Sequence, residues 1–221
     1  MEQVISFLEE LAQHNYKEWF DAHKGEYLQA KNTIAEVARE LIARIAEFDP
    51  RMKGLRVEDC TYRIYRDIRF SADKTPYKTH MGIYVCAGGK KSGRAGYYLH
   101  IEPATRTYFI CSGLYNPTKE MIKSVREEIM LSGAKFDAAI KDAKGFEVDW
   151  EGALTRLPLG WQPGPYSDYY RLKSYIIIKS VDKEYITASN LAGRVARDLK
   201  PTAPFCEILN RCVDYVFEEE L

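Results

Sequence analysis

Sixteen residues, Arg63–Lys78 (RIYRDIRFSADKTPYK), gather three arginines, two lysines and two aspartates. A planar guanidinium grips carboxylate or phosphate with two parallel hydrogen bonds, and an ammonium adds a point charge. The chemistry this composition offers is therefore capture of a small anion. The candidate set is Arg63, Arg66, Asp67, Arg69, Asp73, Lys74, Tyr77 and Lys78. If Thr61–Phe70 is extended, Tyr62, Ile64, Arg66, Ile68 and Phe70 share one face, and Arg66 interrupts an apolar row. A buried cation must be paired or face a cavity. Two readings compete: an anion pocket, or an ion-pair network in which each aspartate neutralises an arginine. Aspartates beside arginines have lowered pKa values and make poor general acids, so direct acid/base catalysis by Asp67 or Asp73 is disfavoured.

Other constellations are thinner. His80 and His100 fall on predicted strands, with Cys86 at the parity of His80 and Glu102 at that of His100. Two imidazoles and a carboxylate can bind a metal, and a Cys/His pair can make a nucleophile and base. Nothing in the sequence brings these groups together, and neither a metal nor a cofactor is assigned. The loop Gly88–Arg94 (GGKKSGR) is basic and glycine-rich but lacks P-loop order and a following helix. It reads as a hairpin tip. As a basic finger beside Tyr84, Tyr97, Tyr98 and Tyr108 it would suit a nucleic-acid backbone with bases stacked on the sheet.

Formal net charge is zero over 221 residues. That argues against nucleic acid, whose binders are often strongly basic. The charge is uneven, however. Arg51–Arg106 holds twelve Lys/Arg against five Asp/Glu, and the rest of the chain holds twenty against twenty-seven. The partner readings are thus a small phosphate- or carboxylate-bearing ligand first, and nucleic acid or an acidic protein on a basic sheet face second. A purely structural motif is the third. No apolar run approaches the roughly 20 residues that span a bilayer, and the acidic amphipathic N-terminus is no signal peptide. The five cysteines are widely spaced without a CxxC pair. This disfavours a disulfide framework and a finger-type zinc site, and the cytoplasm is the expected location.

These side chains must be positioned by elements the pattern predicts. Val4, Ile5, Leu8 and Leu11 recur at helical spacing. Asn15 with Glu18 reads as a capping-box variant opening a second helix through Ile45. Tyr, Ile, Val and Thr then dominate, giving strands near Thr61–Arg66, Thr79–Ala87, Gly96–Ile101 and Thr107–Cys111. The last three are joined by links too short for parallel crossovers. Asn116-Pro117 opens a helix that Gly133 ends, with a short helix following near Phe136–Lys141. Gly145–Pro165 is an irregular wrap, and Tyr175–Ile178 a buried strand. Helices from Asp182 and from Pro201 close the chain. The expected fold is α+β: one domain over 1–221, a mainly antiparallel sheet of about four to six strands, with N-terminal and C-terminal helices packed on it.

The motif RDIRFSADKTPYK resembles the signature of the DUF2461 family. NYKEWFDAHKGEY is similar to that family's N-terminal region, and GYYLHIEP and SGLYNP to its central strands and following helix. LKSYIIIKSVD and LKPTAPFCEILN are similar to its C-terminal portion, and His14 stands where the family more often has Asn. The resemblance implies a shared α+β fold and brings no activity or catalytic residue with it.

Overall fold

Val4, Ile5, Leu8 and Leu11 line one side of helix α1 (Glu2–Gln13) and are all buried in this computed structural model, which describes residues 1–219. Two more helices follow, α2 (Lys17–Ala22) and α3 (Lys24–Ala46), with His23 between them. The predicted second helix is thus broken once. Asn15 does not cap it: α2 has Tyr16 at its N-cap with no side-chain hydrogen bond. A one-turn helix, α4 (Val57–Cys60), leads into the basic segment.

Five strands form the sheet: β1 (Met81–Cys86), β2 (Gly96–Glu102), β3 (Thr107–Leu114), β4 (Glu147–Val148) and β5 (Tyr175–Ser180). Their order is β1-β2-β3-β5-β4 and every pair is antiparallel. The rest is helical: α5 (Lys119–Asp142), α6 (Lys183–Thr187), α7 (Leu191–Leu199) and α8 (Ala203–Glu219). The protein is a single-domain α+β fold, as expected.

Strand alternation divides the sheet into two faces. Ile83, Val85, Tyr97, Leu99, Ile101, Ile110, Tyr175 and Ile177 are fully buried on the side where α1, α3, α7 and α8 pack. The opposite face carries Tyr84, Tyr98, His100, Glu102 and Phe109, which are half-buried. Tyr97 and Tyr108 therefore belong to the core side, and the four loop-flanking tyrosines do not form one stacking platform. The hairpin tip is also tied down. Arg94 places Nε and Nη2 3.0 and 2.8 Å from Asp214 Oδ1, and Lys90 donates its backbone N–H to Asp59 O at 2.8 Å.

Several predicted boundaries moved for physical reasons. Thr61–Arg66 is not a regular strand. It makes only isolated bridges, Thr61 to Ile83 and Tyr65 to Tyr77, because Pro76 has no N–H to continue the ladder. The apolar row through Arg66 is absent too: Ile64 is buried, whereas Tyr62 is exposed and Phe70 is 97% exposed. The stop expected at Gly133 falls one residue from where helical geometry is interrupted: Ser132 is non-helical, so α5 is two helical stretches meeting at a kink, and a Cβ on Gly133 would lie 2.3 Å from the Tyr166 ring. Thr118, not Asn116, caps α5, accepting from Met121 N. Among the described residues no helix is long and apolar enough to cross a membrane. All five cysteines are free and buried.

Candidate functional site

The basic segment folds back on itself as a short ladder, with Arg66 N donating to Pro76 O at 2.9 Å and Lys78 N to Ile64 O at 2.8 Å. Two anchors fix it to the core. The Tyr77 ring is buried and stacks on Phe20 with centroids 4.0 Å apart. Asn15 clamps the backbone of Tyr77, donating to its carbonyl at 2.9 Å and accepting from its N–H at 3.1 Å. An amide is the side chain that satisfies a strand's donor and acceptor together.

Within this frame most of the candidate charges neutralise one another. Arg66 donates to Asp73, to the Thr75 hydroxyl, and to Thr75 O at 3.2 Å. Arg69 grips Asp67 with two hydrogen bonds of 2.9 and 2.6 Å. Lys74 Nζ donates to Ile68 O at 3.0 Å. Internal aspartates thus answer Arg66 and Arg69. The Asp73 carboxyl is held down at about 2 by the Thr75 N–H, then the Thr75 hydroxyl, then Arg66. A depressed folded-state pKa gives stability that is complete above the unfolded value and is lost as pH falls toward the folded one. Asp73→Asn should therefore remove the part of the acid destabilisation that falls between about pH 4 and about pH 2. Thermal melts of both proteins across that range measure it. The gap between their melting temperatures should narrow steadily as pH drops.

Arg63 and Lys78 are the exceptions, making no ion pair among the described residues. Both line a cavity of about 300 Å³, together with Tyr27, Lys31, Tyr62 and His80. Lys31 is likewise unpaired among the described residues, and Glu58 is the cavity's carboxylate. Lys78 Nζ sits 5.3 Å from the Tyr62 ring centroid. Burial, and then the Arg63 charge, push its ammonium below the usual lysine pKa. Of the eight predicted residues, the fold therefore brings Arg63 and Lys78 to a ligand-sized space. It commits Arg66, Asp67, Arg69, Asp73 and Lys74 to the corner itself and Tyr77 to the core.

His80 joins this cavity to a second cluster that sequence reasoning left scattered. The pairing Gly82 to His100 and Met81 to Ile101 sets His80, one residue before β1, beside Glu102. The His80 and His100 ring centroids are 4.9 Å apart. One ligand atom from each of His80, His100 and Glu102 falls within 4.8 Å of the others. Supporting contacts surround the trio. Tyr98 Oη lies 3.0 Å from His100 Nδ1, and Thr79 Oγ1 donates to Glu102 Oε1 at 2.9 Å. Phe109 stacks on His100 at 4.6 Å. Tyr98 reaches its place because residue 82 is glycine: a Cβ there would lie 2.2 Å from Tyr98 Oη. Burial lowers the pKa of both imidazoles, and His100 lowers that of His80 further. Burial raises the Glu102 carboxyl, but Thr79 and the histidines more than offset this, leaving it lowered. At neutral pH the trio is two neutral imidazoles and a carboxylate. Cys86 has no part in it, since it pairs with Gly96 at the far end of β1.

Register is the signal that would have found the trio. Loop 87–95 sets it, and neither its bend nor its length is fixed by composition alone. Residues 3–207 match the family model described as "Conserved hypothetical protein (DUF2461)". No curated protein and no solved structure matches the chain.

Proposed function

This chain belongs to the DUF2461 family, and on the geometry of its cavity we propose that it binds a small phosphate- or carboxylate-bearing ligand between Arg63 and Lys78. One observation carries the reading. Every other arginine and lysine of the basic corner is answered from within the protein, whereas these two make no ion pair among the described residues and face a space of about 300 Å³ where Lys31, Arg63 and Lys78 stand against the one carboxylate of Glu58. That volume sits at the lower end of the range for small-molecule sites. Lys78 is half-buried beside a second cation, an arrangement that costs stability until an anion arrives. Tyr27 and Tyr62 supply flat walls for the body of a ligand. Five free, buried cysteines fit a reducing compartment, and we place the protein in the cytoplasm on that ground.

The test is a thermal-shift series with inorganic phosphate and with citrate, against sodium chloride at equal ionic strength. At 100-fold excess over Kd a ligand stabilises by about 2.7 kcal/mol, which is a shift of several degrees at this chain length. Lys78→Met should abolish the shift and leave the ligand-free protein as stable as before or more so, because it removes a desolvated charge. A shift of equal size in chloride, or one that survives in Lys78→Met, counts against the site.

A further inference from the structure

We infer that His80, His100 and Glu102 form a binding site for a divalent transition-metal ion. The inference does not depend on the anion reading, since it rests on different atoms. His100 Nε2 and Glu102 Oε2 are 3.5 Å apart, which is long for a hydrogen bond between them. It is a natural spacing for two ligands on one ion. Donors about 2.1 Å from a metal at near-tetrahedral angles stand about 3.4 Å from each other. His80 completes the set, with all three donor atoms inside 4.8 Å. Its ring makes no hydrogen bond among the described residues, and it is exposed to the cavity.

The surroundings have the character of a metal site's supporting shell. A ligating imidazole is oriented by a partner on its other nitrogen, and a ligating carboxylate by a hydrogen bond to its other oxygen. Tyr98 Oη does the first for His100 Nδ1 at 3.0 Å, leaving Nε2 free for the ion. Thr79 Oγ1 does the second for Glu102 Oε1 at 2.9 Å, leaving Oε2. Phe109 fixes the ring plane of His100 at an interplanar angle of 9°. Gly82 leaves the room that lets Tyr98 lie across β1. Two residues of β2 and one at the entrance of its neighbour β1 thus bring three donors together.

Two imidazoles and one carboxylate suit Zn²⁺, Fe²⁺ or Co²⁺ rather than Mg²⁺ or Ca²⁺, which prefer oxygen donors. Three protein ligands leave at least one coordination position open. His80 lines the cavity of Arg63 and Lys78, so the metal site adjoins the space of the proposed anionic ligand.

The experiment uses the full-length protein stripped with EDTA and dialysed. It is titrated with Zn²⁺ by calorimetry and with Co²⁺ by visible absorption. The expected result is one ion per chain with micromolar or tighter Kd, and d–d bands of a nitrogen/oxygen site without thiolate charge transfer. His100→Asn and His80→Asn should each weaken binding at least 100-fold, and Tyr98→Phe about 10-fold. His14→Gln should change nothing. His80→Asn carries the test if His100→Asn fails to fold, since the His80 ring has no hydrogen bond among the described residues to lose. Absence of stoichiometric Zn²⁺ or Co²⁺ binding overturns the inference. So does binding that survives His80→Asn, that is lost in His14→Gln, or that appears for Mg²⁺ alone.

Discussion

Asn210→Ala is expected to destabilise the protein by about 3–5 kcal/mol. Asn210 is fully buried in α8. Its amide donates to Ala95 O at 3.1 Å and its carbonyl accepts from Ala95 N at 2.9 Å. This repeats the device by which Asn15 clamps Tyr77. Alanine would orphan a buried N–H and a buried C=O, at about 1–3 kcal/mol each, and would leave a small cavity. The melting temperature should fall by roughly 10 °C. Amide exchange at Ala95 should accelerate more than at Ile110, which sits mid-strand in β3. A loss below about 1 kcal/mol, or uniform acceleration across the sheet, would show that the clamp does not hold the start of β2. The prediction bears on function because Ala95 precedes the strand that carries His100 and Glu102.

Arg63→Gln is expected to weaken phosphate binding about 10- to 100-fold, since a hydrogen bond to a charged group is worth about 1.5–3 kcal/mol. Arg63 is exposed and unpaired among the described residues, so its loss should move stability by no more than about 0.5 kcal/mol. Arg69→Gln makes the internal comparison. Its guanidinium is already closed on Asp67, and its removal should alter affinity less than twofold. Calorimetric titration with inorganic phosphate at two salt concentrations measures both. Equal losses in the two variants would indicate a diffuse electrostatic effect rather than a site.

The sequence made the architecture readable where one physical signal dominates. Apolar spacing in α1 and α8, and links too short for a parallel crossover between β1, β2 and β3, led directly to an antiparallel sheet with helices from both chain ends. It was least readable where a residue's local preference lost to a distant partner. Asn15 reads as a cap by proximity, but its amide serves Tyr77, 62 residues away. At the site, the composition of Arg63–Lys78 announced both anion capture and internal pairing, and the fold divides the residues between the two roles. Which arginine belongs to which role depends on where the chain turns at Asp73 and Pro76. The His80–His100–Glu102 trio depends on strand register, which side-chain type does not encode.

The most direct measurement is an NMR titration of the arginine Nε–Hε signals with inorganic phosphate. The Arg63 signal should shift in a saturable way, while those of Arg66, held by Asp73 and Thr75, and Arg69, held by Asp67, should stay in place. Saturable shifts at Arg66 or Arg69 with Arg63 unmoved would contradict the proposed site, as would the absence of any saturable shift.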